Sequence, residues 1–245
     1  MTASSTDVAH PSESTAIVAP AFRFGPHDFG PHDSAIRGAG SYQLDVYRNG
    51  LKRLFDLLAI IVTVPVTVPL IALLAVLIRL NGGHSFYSQA RIGRGGRVYT
   101  MWKLRSMVLE ADAALDAHLA TDPAARAEWD RTQKLKSDPR ITRFGRFLRK
   151  ASLDELPQLW NVFKGDMSLV GPRPMLPEQR SLYPGQAYYR LRPGITGIWQ
   201  VSARNESSFA ERAGFDADYD RTVSLGTDLG LLAATVRVVL RGTGH

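Results

Sequence analysis

Cysteine is absent from this 245-residue chain. That excludes disulfides, thiolate nucleophiles and cysteine-bound zinc together. The six histidines, at positions 10, 27, 32, 84, 118 and 245, fall at no metal-ligand spacing. No GxxxxGK(S/T), GxGxxG or GxSxG pattern occurs, so P-loop, dinucleotide-binding and serine-hydrolase chemistry have no sequence support. The start, Met1-Thr2-Ala3-Ser4-Ser5, has no basic segment leading into an apolar core, so no cleavable signal peptide is expected. Acids are fewer than bases, 23 Asp+Glu against 30 Lys+Arg. Such an excess points to a polyanionic partner: nucleic acid, anionic lipid headgroups or a phosphorylated ligand.

What is present begins with residues 1 to about 45, rich in Pro, Gly, Ser and Ala, with a tandem Phe-Gly-Pro-His-Asp repeat at 24–33. Nothing there can bury a core, so a disordered tail is expected; metal binding by the two His-Asp pairs is the competing reading. Leu57–Ile78 is a run of 22 uncharged residues, long enough to cross a bilayer core. Pro65 and Pro69 interrupt it, and each removes a helix donor. Thr63 and Thr67 are placed to satisfy freed backbone groups. Arg48, Lys52 and Arg53 precede the run, and Arg79, Arg91, Arg94 and Arg97 follow it. Basic flanks on both sides favour a re-entrant helix over a kinked single pass.

Residues 86–105 read as a hairpin turning at Gly93–Gly96. Met107 to about Leu119 has apolar residues at helical spacing. Asp122-Pro123 starts a further helix, to about Lys136. From Arg131 to Lys150, eight basic residues face one aspartate. On a helix, Arg140, Arg143, Arg146 and Arg149 form a basic stripe beside Ile141, Phe144, Phe147 and Leu148, suited to an anionic membrane surface; a nucleic-acid contact competes, and the apolar run makes lipid the simpler partner. Residues 188–205 are turn-rich. A last amphipathic helix starts at Leu225, with Arg237 and Arg241 in its final turn.

The chemistry concentrates in Ser152–Pro174, SLDELPQLWNVFKGDMSLVGPRP. Asp154 and Glu155 have a bland reading as part of a capping box begun by Ser152. Pro157 would then fall inside the helix and cost a bond. If the helix starts at Pro157 instead, both acids are free to face a ligand. A carboxylate can attack phosphorus and form an acyl phosphate; adjacent acids also suit magnesium shared with substrate phosphates. Arg173, between Pro172 and Pro174, is a guanidinium on a stiff tether that matches phosphate oxygens, or a solvated turn residue. Lys103 and Arg105 alternate on a strand, for phosphate or for solvent.

Lys52-Arg53-Leu54-Phe55-Asp56, Gln89-Ala90-Arg91-Ile92-Gly93, Lys103-Leu104-Arg105-Ser106-Met107, the Ser152–Pro174 block and LRPGITGIWQVSARN occur in that order over about residues 48–241. As an ordered set they resemble the bacterial sugar transferases, the monotopic phosphoglycosyl transferases that prime exopolysaccharides. Asn81–His84, Gln89-Ala90-Arg91 and Val68-Pro69 depart from the usual motifs.

The resemblance implies an α+β, mostly α fold of the compact form. It comprises a tail (1–45), a re-entrant membrane hairpin (46–80) broken near Pro69, and a cytosolic catalytic domain (81–245) with amphipathic surface helices and short strands. It implies transfer of a galactose- or glucose-type sugar-1-phosphate from a UDP-sugar to polyprenyl (undecaprenyl) phosphate, with UMP released. Asp154 would be the nucleophile, and Glu155 with Asp154 would hold Mg2+. Lys103, Arg105, Arg149, Arg173 and Asp216 match family positions and are expected to bind substrate. The expected location is the cytoplasmic face of a bacterial inner membrane, with lipid but no nucleic acid as partner and a homo-oligomer left open. A non-catalytic membrane adaptor and a magnesium-dependent phosphodiesterase are the competing functions.

Overall fold

The computed structural model describes residues 46–80, 83–132, 135–202 and 208–240. The expected tail with its repeat, Asn81, Gly82 and Arg241 lie outside the described residues. A wide turn, Tyr47–Leu51, leads into α1 (Lys52–Leu80). The antiparallel hairpin follows, β1 (Phe86–Ile92) and β2 (Val98–Leu104). Next come α2 (Ala111–Thr121), α3 (Pro123–Thr132), α4 (Arg143–Lys150), a short turn Leu153–Glu155 and α5 (Gln158–Lys164). The rest is β3 (Ser168–Val170), α6 (Ala187–Arg190), β4 (Gly194–Thr196), α7 (Ile198–Val201), α8 (Arg212–Thr222) and α9 (Leu225–Leu240). The described residues are thus mostly helical, with two small two-stranded sheets.

At 29 residues and ~1.5 Å per residue, α1 is about 43 Å long. It is long and apolar enough to cross a membrane, and it stays helical through Pro65 and Pro69. The threonines do not serve the carbonyls that those prolines deprive of a donor, Ile61 and Pro65. Thr63 Oγ1 donates to Ala59 O and Ile60 O, and Thr67 Oγ1 to Thr63 O. A hydroxyl reaches the previous turn of its own helix, which is set by its position and not by where a donor is missing.

Both halves of α1 are fastened to one body. Near its start, Asp56 is buried and accepts from Ser168 Oγ (2.8 Å) and Leu169 N (3.1 Å), while Ile60 packs with Met101, Val162 and Met167. Near its end, Leu74 and Ile78 pack with Leu104 and Leu148. Between them Val62 and Val66 stand 76% and 70% exposed, so that side of the apolar middle has no protein cover. Asp228, fully buried in α9, accepts from Tyr47 Oη (2.7 Å), Tyr219 Oη (2.6 Å) and Lys52 Nζ (2.5 Å). A buried carboxylate needs such partners to offset its lost hydration.

The basic stripe is shorter than its spacing suggested. Thr142 caps α4 by accepting from Gly145 N (2.8 Å). Arg140 lies before the cap, turned onto Asp138 (2.7 Å) and over the Trp129 ring. Met107 likewise precedes its helix and bridges Ile141. Gly145 permits this clasp: a Cβ there would stand 1.9 Å from Ser106 O. Asp122 does start α3, its Oδ1 accepting from Ala124 N and Ala125 N.

Candidate active site

The capping-box reading of the acids fails on backbone geometry. Ser152 has φ 54° and ψ 21°, a left-handed conformation, and caps no helix. Such a conformation costs a non-glycine residue about 1–2 kcal/mol. It reverses the chain after α4, so that Leu153–Glu155 form a separate turn and α5 starts after Pro157. The acids therefore sit in a joint between two helices.

Glu155 Oε1 accepts from Lys103 Nζ at 2.7 Å. Asp154 is 5% exposed. Burial pushes its carboxyl above the usual range; Lys103 opposes this, Glu155 adds to it, and Arg149 opposes it again. Arg149, in the last turn of α4, donates from Nε to Ser106 Oγ (2.8 Å), which holds its guanidinium in place. Burial lowers the Arg149 pKa, and Asp154 pulls it back up.

Arg173 is delivered from another direction. Gly171 N donates to Thr196 O and Gly194 N to Pro172 O, both 2.8 Å. A Cβ on Gly171 would lie 2.3 Å from Arg192 O. This close apposition carries the chain off the end of β3 and brings Arg173 to the cleft that Glu155 also lines.

A narrow cleft of about 20 Å³ collects these groups: Arg91, Lys103, Glu155, Gln158, Arg173 and Gln200 are among its lining residues. Asp154 does not line it. Arg105 also stays outside, over the Tyr87 ring. Asp216 is buried in α8 and accepts from Tyr183 Oη (2.7 Å); burial pushes it up to about 7, with Tyr183 and Arg212 opposing. Of the expected site residues, the structure brings Lys103, Glu155 and Arg173 to one cleft, puts Asp154 and Arg149 next to that group, and leaves Arg105 and Asp216 apart.

Arg91, Gln158 and Gln200 were not expected there. For Arg91 the signal was available: in the hairpin register Tyr87 faces Lys103, Gln89 faces Met101 and Arg91 faces Tyr99, so strand alternation puts Arg91 on the Lys103 face. The opposite face carries Phe86 and Trp102, which line an apolar groove of about 540 Å³ with Ile60, Val64, Pro157 and Trp160. One hairpin thus separates a charged cleft from an apolar groove.

Such a pairing, beside an uncovered apolar helix, suits a protein that handles a phosphate at a lipid surface. Residues 47–242 match the family described as bacterial sugar transferase, and the chain belongs to that family. It is 47% identical over 196 residues to the UDP-galactose-lipid carrier transferase of Erwinia amylovora. Against the undecaprenyl-phosphate galactose phosphotransferase of Salmonella typhimurium the identity is 46%. Each match covers 79% of this chain and 41% of the relative, so the chain spans about two fifths of their length. The exopolysaccharide production protein ExoY of Rhizobium meliloti is 43% identical over 79% of this chain and 87% of its own.

Proposed function

We propose that this protein transfers a sugar-1-phosphate of the galactose or glucose type from a UDP-sugar to undecaprenyl phosphate, in exopolysaccharide priming at the cytoplasmic face of a bacterial inner membrane. The observation that carries the reading is the shared hairpin wall. A cleft lined by Arg91, Lys103 and Arg173 and an apolar groove meet at the turn that holds Asp154 and Glu155. The names of the relatives add a sugar donor and an undecaprenyl-phosphate acceptor.

In this mechanism the donor's diphosphate enters the cleft and draws Lys103 off Glu155, which opens the way to Asp154. An Asp154 carboxylate oxygen attacks the sugar-side phosphorus. The bond to the bridging oxygen breaks, and UMP leaves with the electron pair. The acceptor's phosphate then attacks the same phosphorus and frees Asp154, while its isoprenoid chain lies in the groove; each buried CH2 contributes about 0.8 kcal/mol. Arg149 keeps Asp154 ionised against burial, and Arg173 holds phosphate oxygens.

The adjacent carboxylates, one buried and one with 24% of its side chain exposed, fit magnesium, which binds through one or two carboxylates plus substrate phosphates. Among the described residues no third His, Cys, Asp or Glu joins them. When bound, the ion would offset the repulsion between carboxylate and diphosphate.

The membrane element in this reading is re-entrant. Fastening of both halves of α1 to one body, with prolines at the uncovered middle, supports a helix that bends in lipid and keeps both ends on one face.

The test is to incubate the purified protein with UDP-galactose or UDP-glucose and Mg2+, without acceptor, and to map the gained phosphosugar mass. The adduct is expected on Asp154, and Asp154→Asn should release no UMP while staying folded. Normal UMP release by that variant would overturn the mechanism, and an adduct on Glu155 would move the nucleophile by one residue.

A further inference from the structure

Three guanidiniums converge beside the cleft. Arg91 comes from β1, Arg173 from the Pro172–Pro174 turn and Arg212 from α8. Arg173 and Arg212 both lie over the Trp199 ring, 5.4 and 4.3 Å from its centroid, and Arg212 also lies 4.6 Å from that of Phe209. Arg91 donates to Pro174 O (3.0 Å) and Gln89 Oε1 (2.6 Å). That ties β1 to the chain carrying Arg173. The Nε atoms of Arg91 and Arg212 are buried and have no acceptor among the described residues.

Among the described residues the carboxylate that shares the cleft with Arg91 and Arg173 is Glu155, which pairs with Lys103 at 2.7 Å. The carboxylate beside Arg212 is Asp216, already bonded to Tyr183. Burial and mutual repulsion lower Arg91 to about 10 and Arg212 to about 9, so both stay cationic at neutral pH. Burying cations without matching acceptors costs several kcal/mol. Stacking on Trp199 supports Arg212 and, at the longer distance, Arg173; it does not explain why Arg91 and Arg173 line the same opening. An anion held there would pair with Arg91 and Arg173.

Resting on the transferase reading, we infer that Arg91 and Arg173 form the subsite for the nucleoside-side phosphate of the donor, the one that leaves, and that Arg212 is a positioning residue acting on Arg173 through the Trp199 stack. The sugar-side phosphate must meet the acidic pair, so its partner phosphate falls to the remaining cationic wall of the cleft. As the bond from Asp154 to phosphorus forms and the bridging P–O bond breaks, the departing nucleoside monophosphate becomes one unit more negative. Donors already in place there stabilise that charge as it develops.

The experiment measures binding without turnover, by titrating UMP, inorganic phosphate and uridine into the full chain in detergent or nanodiscs, in the Asp154→Asn background. UMP and phosphate should bind competitively. Arg173→Gln and Arg91→Gln should each weaken both by about tenfold, the scale of one charge-assisted contact. Arg212→Gln should weaken them by about threefold to tenfold, and Arg212→Lys, which keeps charge but loses the planar stack, should recover only part. Uridine should bind equally to all variants. In otherwise wild-type enzyme, Arg212→Gln should lower kcat more than it raises KM.

Phosphate affinity unchanged in Arg91→Gln and Arg173→Gln, at unaltered melting temperature, overturns the subsite. Affinity unchanged in Arg212→Gln alone overturns its positioning role. Arginine-dependent phosphate binding with no UMP release from any UDP-sugar would leave the subsite standing and sink the transferase reading, so the two failures are distinguishable.

Discussion

Removing Lys103 tests the electrostatics of the acidic pair directly. Burial raises Asp154, and Lys103 is the strongest opposing influence. An opposite charge within ~4–6 Å lowers a carboxyl pKa by about 1–3 units. Lys103 retains 21% side-chain exposure, so solvent screening puts its effect at the lower end, about one unit or ~1.4 kcal/mol. Lys103→Met should therefore move the acid limb of kcat/KM upward by about one pH unit, because a carboxylate nucleophile works only when ionised. Below the limb the variant should lose an extra factor of about ten; well above it, that part of the deficit should vanish. Lys103→Arg should keep the wild-type limb. UMP release under kcat/KM conditions from about pH 5 to about pH 9 reads this out. A loss by one constant factor at every pH would refute the reasoning and leave Lys103 as a substrate contact only.

Asp216 carries a pH-linked stability. Its folded pKa of about 7 lies above the ordinary carboxyl value of 3.8, so its contribution favours the fold below about pH 4 and is lost as pH rises through about 7. Asp216→Asn should flatten the dependence of melting temperature on pH between those values, by up to about 4 kcal/mol. Asp228→Asn leaves Lys52 buried without its anion and should cost about 3–5 kcal/mol, read by thermal unfolding in detergent; a Lys52→Met/Asp228→Leu pair should recover much of it. Ser152→Gly relieves the left-handed strain and should raise the melting temperature, by about 1 kcal/mol in stability.

Elements governed by neighbouring residues were legible in the chain. The Gly93–Gly96 turn, the Asp122-Pro123 start and the helix from Leu225 all appear where local signals put them. Pro157 decided correctly against a capping box, since a ring without N–H belongs at a helix start. Periodicity misled where a partner outside the helix intervened. Arg140 left its stripe for Asp138 and Trp129, and Met107 left its helix for Ile141. Lys103, Glu155 and Arg173 were readable as candidates for one charged cleft because their motifs are dense. Arg212 was not: its role depends on Trp199, Phe209 and Arg173, and no spacing in the chain announces a stack of that kind. The burial of Asp154 was hidden for the same reason, since it depends on how β2 and α4 close around the turn.

The hairpin sets a rule for how this protein can vary. Trp102 and Lys103 are consecutive, yet one borders grease and the other borders salt. Deleting or inserting a single residue within β1 or β2 would exchange those allegiances along the whole ribbon, turning indole toward water and ammonium toward hydrocarbon. Length changes at the Gly93–Arg97 tip leave that alternation intact, though the tip itself packs near Arg180 and Tyr189. Any lineage descended from this chain should therefore keep the ribbon's count unchanged while its tip grows or shrinks.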